Sequence, residues 1–388
     1  MKKLVLAAAI GGIFAVPAYA QSSVTLYGII DTGVTYVNNA GKAGAVVAMQ
    51  SGIAQGSRWG LKGTEDLGGG LKTVFQIENG FNVNNGALGQ GGLDFGRQAY
   101  VGLASDKFGT LTLGRQYDSI VDFVQPTTMN GTWGALFSHA GDIDNSDNGF
   151  RVNNAIKYTS LSYAGFQFGG LYSLGGVAGS TTANSTLSAG ASYTNGPVYL
   201  AAAYFTAKNP ATQFLDGNFT ANQATPSANG AFGYVGHPAN MQVIGAGGTY
   251  AIGPALLGLD YTNTRFGSAN GTASSVTFNN YELWGQYSIT PATTLSAGYT
   301  YTSGKVNYLA NNNRPKYNQF NLLADYALSK RTDVYLMGVY QKASGGAFAD
   351  IYDGFPAGQS STTNQVLGRV GIRAKFYARG VSRMFVLR

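Results

Sequence analysis

The feature that most restricts the fold of this chain is an alternation of apolar and polar side chains with a period of two residues. It is present in the segments 71–78, 281–289, 295–302, 320–328 and 366–376. Successive side chains of a β-strand point to opposite faces, so this period indicates strands. No apolar run is long enough for a spanning helix. The sequence therefore predicts an all-β protein.

The connections between these strands alternate in length. Short turns lie at 66–70, 105–108, 195–197, 290–293 and 329–332, and long polar segments rich in Asn, Gly and Ser lie at 117–150, 208–240, 265–278, 304–316 and 343–363. The glycines of the first turn supply positive φ angles. No Gly-Lys-Ser/Thr follows them, so they do not indicate a phosphate-binding loop. We count about sixteen strands, seven short turns and eight longer loops.

The polar face of most strands carries charged and amide side chains. A buried core could not satisfy so many of them, which disfavours a soluble β-repeat protein. A closed barrel with apolar residues facing lipid and polar residues facing a water-filled lumen satisfies both faces, and closure pairs every strand edge. The sequence therefore predicts a sixteen-stranded antiparallel transmembrane β-barrel.

The first twenty residues resemble an export signal. Lys2 and Lys3 precede an apolar stretch, and Ala18-Tyr19-Ala20 provides small residues for cleavage. We expect a signal peptide at 1–20, a barrel at 21–376 and an atypical extension at 377–388 that lacks sustained alternation. The chain contains no cysteine, so export gives it no disulfide.

The net charge of +7 arises mainly at the two ends of the chain. Two of the 25 basic residues lie in the first twenty positions and three in the last twelve, which leaves 20 against 18 acidic residues. Bulk charge therefore gives no reason to expect a nucleic-acid partner, and any electrostatic function depends on local placement.

Several stretches resemble the general porins of Gram-negative bacteria, in particular the beta-proteobacterial type. They are SSVTLYGIIDTGVTYV (22–37), GSRWGLKGTEDLGGGLKTVFQIENGF (56–81), FGRQAYVGL (95–103), GTLTLGRQYDS (109–119), YALSKRTDVYL (326–336) and VGIRAKF (370–376). The resemblance implies an outer-membrane homotrimer with one pore per subunit, in contact with lipid and lipopolysaccharide. It also implies that the third loop, here 117–150, folds inward and narrows the lumen. This loop contains apolar residues that favour packing against the wall: Ile120, Val121, Phe123, Trp133, Leu136 and Phe137.

The resemblance further implies a pore constriction in which basic side chains of the wall face acids of the third loop. The matching wall residues are Arg58, Arg97 and Arg151, and the loop acids are Asp122 or, as second choice, Asp118. Alternation alone places Arg58 and Arg151 on polar faces.

Two basic residues remain ambiguous, and one position departs from the family. Arg97 shares its face with Val101 and Leu103, and its strand is a candidate for a subunit contact. Arg115 fits either the constriction or a subunit contact. Where some porins place a lysine on the first strand, this chain has Ile29.

The leading function is passive diffusion of small hydrophilic solutes and ions. One arginine about 6 Å from an ion in water contributes roughly 0.7 kcal/mol, and salt roughly halves this. Three such charges contribute about 1 kcal/mol, less any cancellation by Asp122, which predicts a few-fold preference for anions. A substrate-specific channel, with Trp284 and Tyr335 in a binding track, is the first alternative. A barrel enzyme or adhesin is the second.

Other candidate sites are weak in the sequence. DIDNSDNG (142–149) resembles a calcium loop, but its glycine is misplaced and the closing Glu is absent, so a solvated acidic loop is the preferred interpretation. His139 and His237 lie in loops without a partner motif. We therefore expect no metal site, no catalytic residues and no cofactor.

Overall fold

The barrel wall is built from antiparallel strands in simple up-and-down order. A computed structural model describes residues 22–41, 44–217, 219, 230–309, 314–351 and 359–377. The expected signal peptide and nearly all of the C-terminal extension lie outside these residues. The described strands are β1 (Ser23–Val37), β2 (Val46–Ser51), β3 (Arg58–Gly68), β4 (Leu71–Gly80), β5 (Gln98–Ser105), β6 (Gly109–Gln116), β7 (Val152–Thr159), β8 (Phe166–Ser173), β9 (Thr186–Asn195), β10 (Val198–Lys208), β11 (Asn240–Ile252), β12 (Ala255–Gly267), β13 (Val276–Ser288), β14 (Thr293–Val306), β15 (Lys316–Ala327), β16 (Thr332–Ser344) and β17 (Asn364–Tyr377).

These segments form sixteen barrel strands, as the sequence predicts. β2 and β3 both pair with β1 and together make the second barrel strand. Each later strand pairs with the next, and β17 pairs with β1 from Tyr27↔Tyr377 to Val37↔Leu367, which closes the cylinder. Short turns alternate with long loops throughout the described chain.

Within the described residues, helical structure is confined to the long loops. The α-helices are α1 (Met129–Thr132) and α2 (Pro210–Gln213), and a single π-helical turn covers Ile120–Val124. The 3-10 turns are Gln90–Gly92, Gln125–Thr127, Ala135–Phe137, Ala140–Asp142, Phe232–Tyr234 and Ala269–Gly271. None of the described helices has the length and apolar character needed to cross a membrane.

The alternation in the sequence corresponds to an outer and an inner face of the wall. On β13, Leu283 is 64% exposed on the outside, whereas its neighbour Trp284 is 2% exposed on the inside. Exposed tyrosines lie near the short-turn ends of four strands: Tyr193, Tyr250, Tyr287 and Tyr326. Aromatic rings at this height are typical of the interfacial girdle of membrane barrels.

The buried apolar side chains lie inside the cylinder rather than between two sheets. One cluster joins Ile120 and Phe150 to wall and loop residues that include Phe205 and Phe266. A second joins Trp133 and Phe137 to Trp284, Tyr335 and neighbouring residues. Both clusters contain residues of 117–150, so this segment, called loop 3 below, folds inward as expected.

The second barrel strand is interrupted where Gly52–Ser57 leaves the ladder between β2 and β3. The Asp31 carbonyl accepts from Gly52 N at 2.9 Å, and the Asp31 carboxylate accepts from Gln55 N at 2.7 Å. Ile53 and Ala54 are thereby buried in the second cluster. Ile53 and Ala54 of this interruption thus provide an apolar surface near the first strands against which loop 3 packs.

Candidate pore constriction

Loop 3 is fixed to the far wall by hydrogen bonds to inward side chains of β13. Trp284 Nε1 donates to the Thr127 carbonyl at 2.8 Å, and Trp133 Nε1 donates to Gln286 Oε1 at 3.0 Å. Glu282 Oε1 accepts from Met129 N at 2.5 Å. The loop begins after β6 and returns to β7, so these bonds carry it across the lumen.

The apolar residues that the sequence analysis singled out in loop 3 are all buried. Trp133 packs edge-on against Phe137 and Trp284, with ring centroids 5.6 and 5.4 Å apart. The full set is Ile120, Val121, Phe123, Trp133, Leu136 and Phe137. Burial of a large side chain contributes roughly 1.5–3 kcal/mol, so this packing holds the loop against the wall.

Gly134 permits a close approach between loop 3 and the strand interruption at Gly52–Ser57. Its φ is +148°, and a Cβ atom there would lie 2.6 Å from the Ala54 carbonyl oxygen. A larger residue would both strain the backbone and push the loop away from Ala54.

Arg58 and Arg97 converge on one carboxylate of the wall, Glu78 on β4. Arg97 Nε donates to Glu78 Oε1 at 2.7 Å, and Arg58 lies 3.9 Å from the same oxygen. Tyr27 and Tyr117 also donate to Glu78, at 2.8 and 3.2 Å. The sequence analysis did not single out Glu78, although it lies on the polar face of 71–78.

The structure shows that the Arg97 side chain lies on the lumen side, although alternation groups it with the outward residues Val101 and Leu103. Tyr100 on β5 points inward and donates to Gln76, so Val101 points outward and is 52% exposed. Arg97 precedes the first residue of β5 and is not bound by that alternation. Its guanidinium reaches into the lumen, where it also donates to Tyr117 at 2.9 Å.

Arg151 directly follows loop 3 and lies over the ring of Tyr117, with the guanidinium carbon 5.8 Å from the ring centroid. It makes no ion pair with any carboxylate in the described part of the chain. Arg115, in contrast, donates hydrogen bonds to Asp216, Asn153 and the Gly96 carbonyl of the same chain.

The acids of loop 3 are not all directed at the arginines. Asp122 forms an ion pair with Lys157 on β7. Asp118 is fully buried and accepts from Ile120 N at 2.7 Å and Asn145 Nδ2 at 2.6 Å. Burial raises the pKa of Asp118 to about 6. Neither carboxylate forms an ion pair with Arg58, Arg97 or Arg151 among the described residues.

Asp147 is the loop acid that lies in the electrostatic field of the arginines. Burial raises its pKa to about 7, whereas the Asn130 amide and the positive charges of Arg151, Arg97 and Arg58 act in the opposite direction. Sequence reasoning missed Asp147 because its proximity to these arginines depends on how loop 3 folds.

The interpretation of 142–149 as a solvated acidic loop is wrong. Asp142 and Asp144 are buried, and their carboxylates accept from backbone amides of the same turn: Asp147 N, Gly149 N and Ser146 N. The two residues considered for a substrate track are also enclosed. Trp284 donates to loop 3, and Tyr335 donates to Asp31 at 2.7 Å.

Comparison with known proteins agrees with this architecture. The chain matches the profile of the Gram-negative porin family over residues 5–346. The chain belongs to the Gram-negative porin family. The porin is 34% identical to an outer membrane porin protein of Bordetella pertussis, over 88% of this chain and 94% of the relative. It is 37% identical to outer membrane porin protein 32 of Delftia acidovorans, over 47% of this chain and 53% of that protein.

Solved structures with the same fold include other porins. The anion-selective porin from Comamonas acidovorans superposes with a TM-score of 0.74 at 25% identity, covering 92% of this chain and all of that one. OmpT of Vibrio cholerae in its trimer form gives 0.66 at 16% identity, covering 92% and 99%. As a porin, the protein forms an outer-membrane channel for passive diffusion, and its family indicates a channel rather than an enzyme.

Proposed function

We propose that this porin is a general diffusion channel with a few-fold preference for anions, set by Arg58, Arg97 and Arg151. The observation that supports this is an imbalance of charge: Arg58 and Arg97 share one wall carboxylate, Glu78, and Arg151 lies over Tyr117 without an ion pair among the described residues. The dielectric constant of water and screening by salt limit the effect of the three charges to about 1 kcal/mol. Such a field enriches small anions without excluding cations.

The acids of loop 3 have distinct roles in this proposal. Asp147 reduces the positive field of the arginines to the extent that it is ionised. Asp122 and Lys157 form a neutral pair at the edge of the constriction. Asp118 acts on the constriction by fixing the start of loop 3 through its bonds to Ile120 N and Asn145.

We also propose that the channel is a homotrimer in contact with outer-membrane lipid and lipopolysaccharide. The structure of a relative in its trimer form and the closed barrel with an apolar outer face support this assembly. Chemical cross-linking in detergent and in native membranes should give a ladder that ends at three subunits.

The substitution Arg151→Gln tests the selectivity. Removing one of three cations should lower the chloride-to-potassium permeability ratio about twofold. The measurement is the reversal potential across a potassium chloride gradient in a planar bilayer. Arg331→Gln is the matched control, because Arg331 lies at a short turn over the Tyr377 ring, away from the cluster.

A wild-type channel that prefers potassium would contradict the proposal. So would an unchanged permeability ratio in Arg151→Gln, or an equal reduction in Arg331→Gln.

A further inference from the structure

A buried cluster joins loop 3 to two carboxylates of the barrel wall. His139 Nε2 lies 3.4 Å from Asp260 Oδ1 on β12 and 3.4 Å from Glu282 Oε2 on β13. The three donor atoms all lie within 4.8 Å of one another, and each residue is at most 4% exposed. The cluster is separate from the arginines described above.

The other ring nitrogen of the histidine is already engaged. His139 Nδ1 lies 2.6 Å from Asp144 Oδ2, and that carboxylate accepts further bonds from Thr262 and Asn280. In a neutral imidazole, Asp144 would hold the proton on Nδ1 and leave the lone pair of Nε2 directed at Asp260 and Glu282. Histidine ligands of metals are commonly oriented by a carboxylate in this way.

Hydrogen bonds do not satisfy the buried polar atoms at which His139 faces Asp260. His139 Nε2 and both carboxylate oxygens of Asp260 are buried and have no hydrogen-bond partner among the described residues. A separation of 3.4 Å is longer than the usual 2.7–3.2 Å of an N–H···O bond. Buried polar atoms without a partner are uncommon and need a physical explanation.

The arrangement of charges also favours a cation. Asp260 and Glu282 are directly opposite each other in the β12–β13 ladder, a position in which like charges repel. Asp144 adds a third buried carboxylate on the other side of the imidazole. Burying three carboxylates together is costly unless positive charge lies between them.

The distances fit a tetrahedral metal ion. With bonds of about 2.0–2.1 Å, two ligands of tetrahedral Zn²⁺ are about 3.3–3.4 Å apart, which matches both His139 separations. One imidazole and two carboxylates form a donor set that Zn²⁺ accepts, whereas Ca²⁺ and Mg²⁺ prefer oxygen ligands alone. We propose that His139, Asp260 and Glu282 bind a divalent transition-metal ion, with Zn²⁺ as the best fit.

The consequence of such a site is mechanical. Its ligands come from loop 3 and from two neighbouring wall strands, so the ion ties the loop to the wall on the side of β12 and β13. A structural metal stabilises the state that holds it, because the site does not exist in the unfolded chain. This inference does not depend on the ion selectivity of the pore.

A second proton on His139, bound at Nε2, is the alternative to a metal ion at this cluster. Burial opposes the imidazolium, but the negative charge of Asp144 raises the pKa of His139 well above its usual range. An imidazolium would place one positive charge among the carboxylates and bind no metal, so metal content distinguishes the two.

The test begins with purified porin unfolded in denaturant with a chelator, then refolded in detergent without metal or with Zn²⁺ or Co²⁺. After removal of free ion, elemental analysis should give one Zn²⁺ per subunit. The Co²⁺ form should show the intense visible absorption of tetrahedral cobalt. The Zn²⁺ form should unfold at a higher temperature than the metal-free form.

Two substitutions and a control locate the ion. Asp260→Asn should abolish stoichiometric binding while folding normally, because neither oxygen of Asp260 has a hydrogen-bond partner in the part of the chain that the structure describes. His139→Gln should also abolish it. His237→Gln should bind one ion, because His237 is exposed and is the only other histidine of the sequence.

Wild-type protein that refolds without taking up stoichiometric metal would overturn the proposal in favour of the protonated histidine. Full binding by Asp260→Asn, or loss of binding in His237→Gln, would also overturn it. Heat-modifiable migration on gels reports folding for every variant, so failure to fold is recognised separately.

Discussion

Arg369 shows how single charged residues hold this barrel together. Its guanidinium is fully buried and bonds to Asp31, Tyr335 and Thr35, with distances of 3.3, 3.1 and 2.8 Å. It also donates to the Gln50 carbonyl at 3.1 Å. These partners lie on β1, β2 and β16, whereas Arg369 lies on β17. One side chain therefore links strands on both sides of the closure.

Arg369→Met is expected to destabilise the barrel by about 3–5 kcal/mol, because it leaves Asp31 buried without its cation. The measurement is the urea dependence of unfolding in lipid vesicles. Lys72→Met is the control. It breaks the exposed Lys72–Asp106 pair, which contributes at most about 1 kcal/mol. Equal losses in the two variants would contradict the assignment.

The pH dependence of selectivity should follow Asp147. As the pH falls through about 7, this carboxyl gains a proton and its negative charge disappears from the field of the arginines. The anion preference should therefore rise as the pH falls. Asp147→Asn should show the higher anion preference both above and below pH 7. Its anion preference should therefore no longer depend on pH in this range.

Reversal potentials recorded on either side of pH 7 provide the measurement. Asp122→Asn is the matched control, because Asp122 pairs with Lys157, and it should keep the pH dependence. A pH response that survives in Asp147→Asn would assign it to another group.

Among the structural elements, loop 3 is the one whose position depends most on tertiary packing. Its helical turns are too short to be stable in isolation. They persist because Trp133, Phe137 and Leu136 fill the space between Trp284 and the interruption at Gly52–Ser57. The width of the lumen thus depends on apolar contacts rather than on the wall alone.

Trp133→Ala should loosen loop 3. Removing a buried tryptophan costs about 3–5 kcal/mol and here also removes the bond to Gln286. We expect a larger and noisier single-channel conductance. Phe108→Ala, at a short turn where the ring is 73% exposed, should leave conductance and noise unchanged. Wild-type behaviour of Trp133→Ala would show that the packing does not set the aperture.

The elements were predictable to different degrees, for physical reasons. Strands such as β13 follow from alternation because one face meets lipid and the other meets water. The interruption at Gly52–Ser57 depends on Asp31, which is distant in sequence. Arg97 meets Glu78 because β4 pairs with β5 in the register Glu78↔Gln98, which alternation alone does not specify. The approach of His139 to Asp260 arises only when loop 3 folds into the barrel, so no local pattern contains it.

The whole molecule inverts the usual distribution of polarity. The outer face carries a continuous apolar surface, in which Leu259 on β12 and Leu283 on β13 are opposite each other and 60% and 64% exposed. The lumen contains the charged networks and the buried apolar clusters of loop 3. Stability therefore depends on the surrounding lipid as well as on internal contacts.

Leu283→Arg should destabilise the folded barrel in vesicles by about 2–4 kcal/mol, because Leu283 lies near the middle of β13 and faces lipid. The measurement is the folding free energy from urea titration in vesicles. Leu215→Arg, in the long loop after β10 and 73% exposed, should cost little. A small loss at Leu283 would contradict the assigned membrane face.

The pairing of β1 with β17 dictates an order of events during biogenesis. β1 is synthesised before β17, and the two are neighbours in the wall, so the cylinder cannot close before β17 has been made. The earlier strands therefore stay in an open sheet until β17 is available to pair with β1. Arg369 and Asp31 lie on opposite sides of that seam, so their buried ion pair forms only when β1 and β17 come together.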